Sequence, residues 1–365
     1  MKYLLFLPGI FAILFMASFD KLNVKYISAV PSDTIHFPGE THFKNIQQLT
    51  FGGDNAEAYF SFDGKYIVFQ KTNPKEGIAC DQIWMGKVPE AGEKFDPKLV
   101  STGTGRTTCS YFFPDGKHIL YGSTHLGSKD CPPTPDRSKY GNKYIWAVYK
   151  DFDIFKADTN GHIIKRLTHT EGYDAEATIS PKGNKILFTS MRNGDLDLYT
   201  MDMNGRHVKQ ITNTLGYDGG AWFSPDGSKI IWRASRPKTP EEIKEYKDLI
   251  AENLVAPTHM EVWIANADGT NAKQVTDLEQ ANWAPNFTPD GKHFIFCSNH
   301  EYKRGFPFNM YLANIDGSNV QKISRDKGFD AFPMFSPDGK KIIFSSNRNN
   351  GGTRDTNIFM ADWVE

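Results

Sequence analysis

Six times along the chain an apolar run enters a tight polar turn and a second apolar run leaves it. The turns are Phe62-Asp63-Gly64, Pro114-Asp115-Gly116, Pro181-Lys182-Gly183, Pro225-Asp226-Gly227, Pro289-Asp290-Gly291 and Pro337-Asp338-Gly339. Proline presets φ at the first turn position, and glycine admits a positive φ at a later one. An aromatic residue or Ile precedes each turn (Phe60, Phe112, Ile179, Phe223, Phe287, Phe335), and a stretch such as Lys341-Ile342-Ile343-Phe344 follows. The pattern predicts a strand, a tight turn and a second strand, repeated.

A third element reads polar, aliphatic, aromatic: Gln82-Ile83-Trp84, Asp153-Ile154-Phe155, Asp197-Leu198-Tyr199, Glu261-Val262-Trp263, Asn309-Met310-Tyr311 and Asn357-Ile358-Phe359. A fourth ends in an aliphatic residue and a hydroxyl: Leu49-Thr50, Val100-Ser101, Leu167-Thr168, Ile211-Thr212, Val275-Thr276 and Ile323-Ser324. Four antiparallel strands per unit predict an all-β, six-bladed β-propeller over residues 42–365. The C-terminus stops after a third strand, and about Phe43 to Thr50 supplies an unpaired fourth. Pairing the two closes the ring and removes two exposed edges.

The N-terminus follows another pattern. Lys2 is followed by an apolar run from Tyr3 to Phe19, broken by Pro8, Gly9 and Ser18. Residues 1–20 therefore read as a signal peptide, with Ala17-Ser18 as the nearest cleavage site, or as an uncleaved membrane anchor. Membrane contact is expected only through that segment, if it is uncleaved. Residues 21–41 read as a polar linker.

Composition narrows the picture. Aromatic residues make up 13% of the chain, and 31 Gly and 20 Pro punctuate it, as a β-rich fold with many turns requires. Charge is balanced, with 42 basic and 43 acidic residues, so no basic field draws nucleic acid. Four cysteines in 365 residues do not make a disulfide scaffold.

The repeat unit, with its Leu167-Thr168 type of strand end, its Phe335-Ser336-Pro337-Asp338-Gly339-Lys340 turn and its Ile343-Phe344-Ser345-Ser346-Asn347-Arg348 strand, resembles that of the TolB-like (WD40-like, PD40) propeller family. The resemblance covers about residues 43–363. It implies a periplasmic or secreted setting and a protein partner in the cell envelope. TolB itself carries an extra N-terminal α/β domain, for which the stretch before Phe43 is expected to leave no room.

Strand alternation places the loops entering first strands and those joining second to third strands on one face. The longest inserts fall there, at Gly122–Lys150 and about Arg233–His259. The second contains Thr239-Pro240-Glu241-Glu242, a helix start, with Ile243, Tyr246, Leu249 and Ile250 at helical spacing. That helix either caps the disc or binds a partner.

Residues expected to rim the channel align by repeat as Asn55, Thr107, Asp174, Asp218, Asn282 and Asp330. Two positions on come Glu57, Cys109, Glu176, Gly220, Ala284 and Phe332. An oxygen-rich rim can hold Ca²⁺ or a basic peptide, and the same Asp and Asn residues also make local turn bonds. Cys80, Cys109 and Cys131 should share the insert face with His125 and Asp130, as a disulfide pair or free thiol rather than a metal site. Arg106 adjoins this cluster.

No Gly-x-Ser-x-Gly elbow, phosphate loop or His-Glu-x-x-His helix occurs. The expectation is a non-enzymatic scaffold or ligand-binding module that needs no cofactor. The alternative is a metal-assisted carbohydrate lyase or hydrolase with Glu57, Asp174 and Glu176 as acid or base.

Overall fold

The structure is a computed structural model and describes residues 35–365 apart from Ala91, Asn142 and Arg304. The signal or anchor segment expected at 1–20, and residues 21–34 of the linker, lie outside the described residues. No helix among the described residues is long and apolar enough to cross a membrane.

Six four-stranded antiparallel sheets form the blades. Their innermost strands are Asp54–Phe60, Thr107–Phe112, Asp174–Ile179, Asp218–Phe223, Asn282–Phe287 and Asp330–Phe335. We number blades 1 to 6 in that order. The sixth is completed from the front of the chain, where Phe43–Gln48 pairs antiparallel with Asn357–Trp363. Residues 35–41 are not a free linker. Ile35 and Glu40 are buried, and Glu40 accepts hydrogen bonds from the buried Arg348 of blade 6.

The aliphatic–hydroxyl pairs do one job throughout. The backbone N–H of the aliphatic residue donates to the third strand, as Val100 does to Ile83 at 2.8 Å. The hydroxyl then accepts the N–H that the third strand would leave unpaired. Ile83, Ile154, Leu198, Val262, Met310 and Ile358 donate in this way to Ser101, Thr168, Thr212, Thr276, Ser324 and Thr50 at 2.8–3.0 Å. A side chain thereby extends a backbone ladder past very short outer strands. Those strands are only two residues long in blades 1, 3, 4 and 5.

A second repeated feature faces the axis. Every inner strand carries one extra residue against its neighbour, so the register shifts after Ala56, Thr108, Ala175, Gly219, Trp283 and Ala331. The residue that follows has φ between 45° and 59° in all six blades: Glu57, Cys109, Glu176, Gly220, Ala284 and Phe332. A bulge re-aims a side chain, and a left-handed residue that is not glycine is uncommon and strained. Five of the six are not glycine.

Candidate functional site

The inserts of blades 2 and 4 build a roof over the axis. Their two-residue strands Trp146–Ala147 and Leu254–Val255 pair antiparallel. The helix Pro240–Ala251 begins at Thr239, whose hydroxyl accepts from the Glu242 N–H while the Glu242 carboxylate accepts from Thr239. This reciprocal cap satisfies two otherwise unpaired donors. The helix buries Tyr246 and Leu249, and the Tyr246 hydroxyl donates to Asp195. Glu245 pairs with Lys143, and Tyr140 donates to Glu252 at 2.6 Å. The helix therefore holds the other insert in place. A disulfide from Cys80 to Cys131 ties that insert to blade 1. Its presence fits an oxidising compartment.

Below the roof lies a cavity of about 590 Å³. Tyr144, Trp146 and Trp283 form its ceiling, with ring centroids 5.3 Å apart for the two tryptophans and 6.0 Å for Tyr144 and Trp283. Two residues past the bulges, farther from the roof, Tyr59, Tyr111 and Trp222 meet edge-on and close the channel. Between these layers the bulges direct Glu57, Cys109 and Glu176 at the cavity, together with Ala284, Phe332 and the backbone of Gly220.

The carboxylate of Glu176 is saturated. It accepts from the Tyr173 hydroxyl at 3.1 Å, the Tyr217 hydroxyl, the Gly220 N–H at 2.5 Å and Arg233 Nη2 at 3.1 Å. Arg233 also donates to Tyr217 Oη at 2.6 Å and lies 5.4 Å from the Trp146 ring. Although burial opposes its charge, the surrounding tyrosine, carboxylates and thiol hold the guanidinium firmly protonated. Near the cavity mouth Arg106 pairs with Asp81 at 2.5 Å.

Glu57 differs. It forms no salt bridge among the described residues, and its close partner is the Cys109 thiol. Burial pushes its pKa up to about 7, with Glu176 and Asp81 adding to the rise and the Cys109 contact and Arg233 opposing it. Burial and the two glutamates likewise push the Cys109 thiol well above its ordinary range.

The sequence-predicted residues divide into two sets. Glu57, Arg106, Thr107, Cys109 and Glu176 line the cavity. Asp174, Asp218, Asn282 and Asp330 begin their inner strands, Asn55 is the second residue of its own, and all five are buried. The arginines closing the second strands meet the three aspartates: Arg192 reaches Asp174 at 2.9 Å, Arg236 reaches Asp218 at 2.6 Å, and Arg348 reaches Asp330 at 3.1 Å. Asn55 and Asn282 donate to neighbouring backbone carbonyls, and Thr107 donates to the Asp81 carbonyl. In the oxygen ring expected to attract Ca²⁺, the three aspartates thus face guanidinium groups of their own blades, while Asn55, Thr107 and Asn282 bond to the preceding blade. Among the described residues, no three His, Cys, Asp or Glu side chains converge to hold a metal ion. His125 is not among the residues lining the cavity. It packs on Phe155 at 4.5 Å and shares a hydrogen bond with Ser123, and burial, with Arg166 nearby, lowers its pKa.

Sequence reasoning missed Arg233, Tyr173, Tyr217 and Trp146. One signal was available. Arg233 pairs with Gly219 on the second strand, where the other blades place Gln70, Gly122, Thr189, Cys297 and Ser345. A lone cation in that row, beside Gly219-Gly220, marks a side chain lying across the inner strand.

A family model described as the TolB beta propeller domain matches residues 133–248 and 250–360. No curated protein matches the chain. Among solved structures, one assigned as TolB from Agrobacterium tumefaciens is similar over 86% of this chain and 91% of that one, at 17% identity and a TM-score of 0.54. TolB from Acinetobacter baumannii is similar over 84% of this chain and 65% of that one, at 20% identity and a TM-score of 0.54. An oligogalacturonate lyase in complex with manganese aligns over 88% of this chain and 93% of that one, at 12% identity and a TM-score of 0.48. At these identities the two TolB likenesses establish the fold.

Proposed function

The chain belongs to the TolB β-propeller domain family, and from that premise we propose that it is an exported binding module of the cell envelope whose site is the roofed axial cavity. Residues 1–20 carry it out of the cytoplasm, and a protein or ligand of the envelope engages the insert-bearing face. The observation that carries this reading is the convergence of a sixfold ring of left-handed residues on a roofed cavity of about 590 Å³. Strained backbone concentrates where a site needs it, and a concave pocket with a few converging polar groups is a common form of binding site.

The test places a photocrosslinking residue in the exported protein, either at Tyr144 on the cavity roof or at Lys340 in a hairpin turn of the opposite face. A discrete adduct from position 144, lost when Trp146 is replaced by Ala, is the expected result. Adducts from position 340 alone would overturn the reading.

One observation favours a second reading. A carboxyl whose pKa burial raises to about 7 at Glu57, lining the same cavity as Glu176, suits proton transfer in a lyase or hydrolase. That reading requires turnover of a glycan that Glu57→Gln abolishes without loss of folding.

A further inference from the structure

We propose that the cavity binds a protonated primary amine, with the Glu57 carboxylate accepting its N–H groups beneath the aromatic roof. The proposal rests on the cavity being the binding site and identifies the chemistry that fills it.

The argument is one of charge and space. Of the cations lining the cavity, Arg233 is bound to Glu176, Arg106 is bound to Asp81, and Arg137 lies over the Tyr144 ring at 4.6 Å. Glu57 has a thiol beside it and forms no salt bridge among the described residues, the nearby Arg233 being paired with Glu176. A carboxylate removed from water needs either a proton or a counter-charge. The protein holds Glu57 in left-handed backbone, φ 53°, which aims the group at the cavity rather than at a blade neighbour. A ligand ammonium supplies the absent charge and three donors.

The surroundings suit a cation of that size. Tyr59 and Trp222 line the cavity past Glu57, and Trp146 and Trp283 cover it. Ring faces attract ammonium groups and the methylenes that carry them. A metal ion fits poorly, because one carboxylate and one high-pKa thiol give too few hard donors. The groups facing Glu57 are Tyr59 and Asp81 from blade 1, Cys109 from blade 2, Glu176 from blade 3 and Arg233 from blade 4. Of these, only Arg233 is a cation, and it is engaged with Glu176.

Calorimetric titration of the whole protein with phenethylamine and with 2-phenylethanol tests the proposal. At pH 8 the amine should bind at least about tenfold more tightly than the alcohol, as a charge-assisted contact implies. Its affinity should fall by a similar factor on going to pH 5, where Glu57 takes up its proton while the amine stays charged. Glu57→Gln should remove both the preference and the pH dependence, and the wild-type pH profile decides the matter should that variant fail to fold. Equal binding of both probes, independent of pH but lost in Trp146→Ala, overturns the amine and leaves the cavity as the site. Binding of neither probe overturns the proposal as well. A capped tripeptide with a central lysine identifies the source of the amine: tighter binding than phenethylamine points to a polypeptide, weaker binding to a small metabolite.

Discussion

The guanidinium of Arg233 lies across the α-carbon of Gly220, so close that a Cβ there would fall 1.7 Å from Nη1. The left-handed backbone alone does not demand glycine at this position. Ala284 holds the same bulge in blade 5 with φ 47°, against 59° for Gly220. What demands glycine is the arginine, which must cross the strand to reach Glu176.

Gly220→Ala should therefore expel Arg233 from its place and lower stability by about 1–3 kcal/mol, the usual cost of overpacking. The clash involves one partner, so the loss should not add to that of Arg233→Met. A double-mutant cycle read by thermal or urea unfolding is expected to show coupling of at least about 0.5 kcal/mol. Full additivity would mean that the backbone conformation, not the guanidinium, excludes the side chain.

Breaking the ion pair from either end should cost more. Arg233 and Glu176 are both largely buried, so removing one leaves a charge without its partner. Arg233→Met should destabilise by about 3–5 kcal/mol. Glu176→Gln keeps the shape and should cost less, because its amide oxygen can still accept from Gly220 and Arg233 while its NH2 group donates to the tyrosine hydroxyls. If Arg233→Met unfolds no earlier than wild type, the pair contributes nothing to stability.

Much of the fold was legible in the chain because its determinants are local. A Pro-Asp-Gly turn and an aliphatic–hydroxyl pair each act within a few residues of where they stand, as the Ser101 hydroxyl does in accepting from Ile83. The level of the site was harder to read. Asp174, Asp218 and Asp330 looked like rim ligands because their partners, Arg192, Arg236 and Arg348, come from the end of the next strand. Arg348 stood inside the repeat motif itself, so that pairing could have been read. The extra residue in each inner strand could not, since nothing in Ala-Glu-Ala or Thr-Cys-Ser announces a bulge. That bulge turns Glu57, Cys109 and Glu176 toward the axis. The roof was equally hidden, because it depends on two inserts meeting across the disc.

The disulfide should govern the roof. Cys80 and Cys131 are 51 residues apart. Closing a loop of that size contributes about 4 kcal/mol in the chain-entropy account. Cys131→Ser is expected to lower the unfolding temperature and to speed proteolysis within the blade 2 insert, with the blades intact by circular dichroism. In the native wild type, Cys109 should react slowly with an alkylating reagent at pH 8, because its thiol is held well above its usual pKa. Rapid labelling of Cys109 would show that the cavity does not shield it.

Stability should also depend on pH in a direction opposite to that of most carboxylates. Asp197 accepts from Gln210 and Thr212, yet burial, with Asp218 and Asp195 beside it, pushes its pKa up to about 7. The folded state therefore holds a proton that the unfolded chain releases near its ordinary value of 3.8. Between those two values the native state binds more protons, so stability falls as pH rises. This contribution is fully present below about pH 4 and gone above about pH 7. Asp218, pushed up to about 6 by its burial, acts in the same sense over a narrower range. Paired carboxylates elsewhere act oppositely, so the isolating measurement is a comparison. Unfolding temperatures of wild type and Asp197→Asn should converge near pH 4 and separate as the pH rises, with the variant the more stable at pH 8. A constant difference across that range would mean that Asp197 is ionised in the native protein throughout.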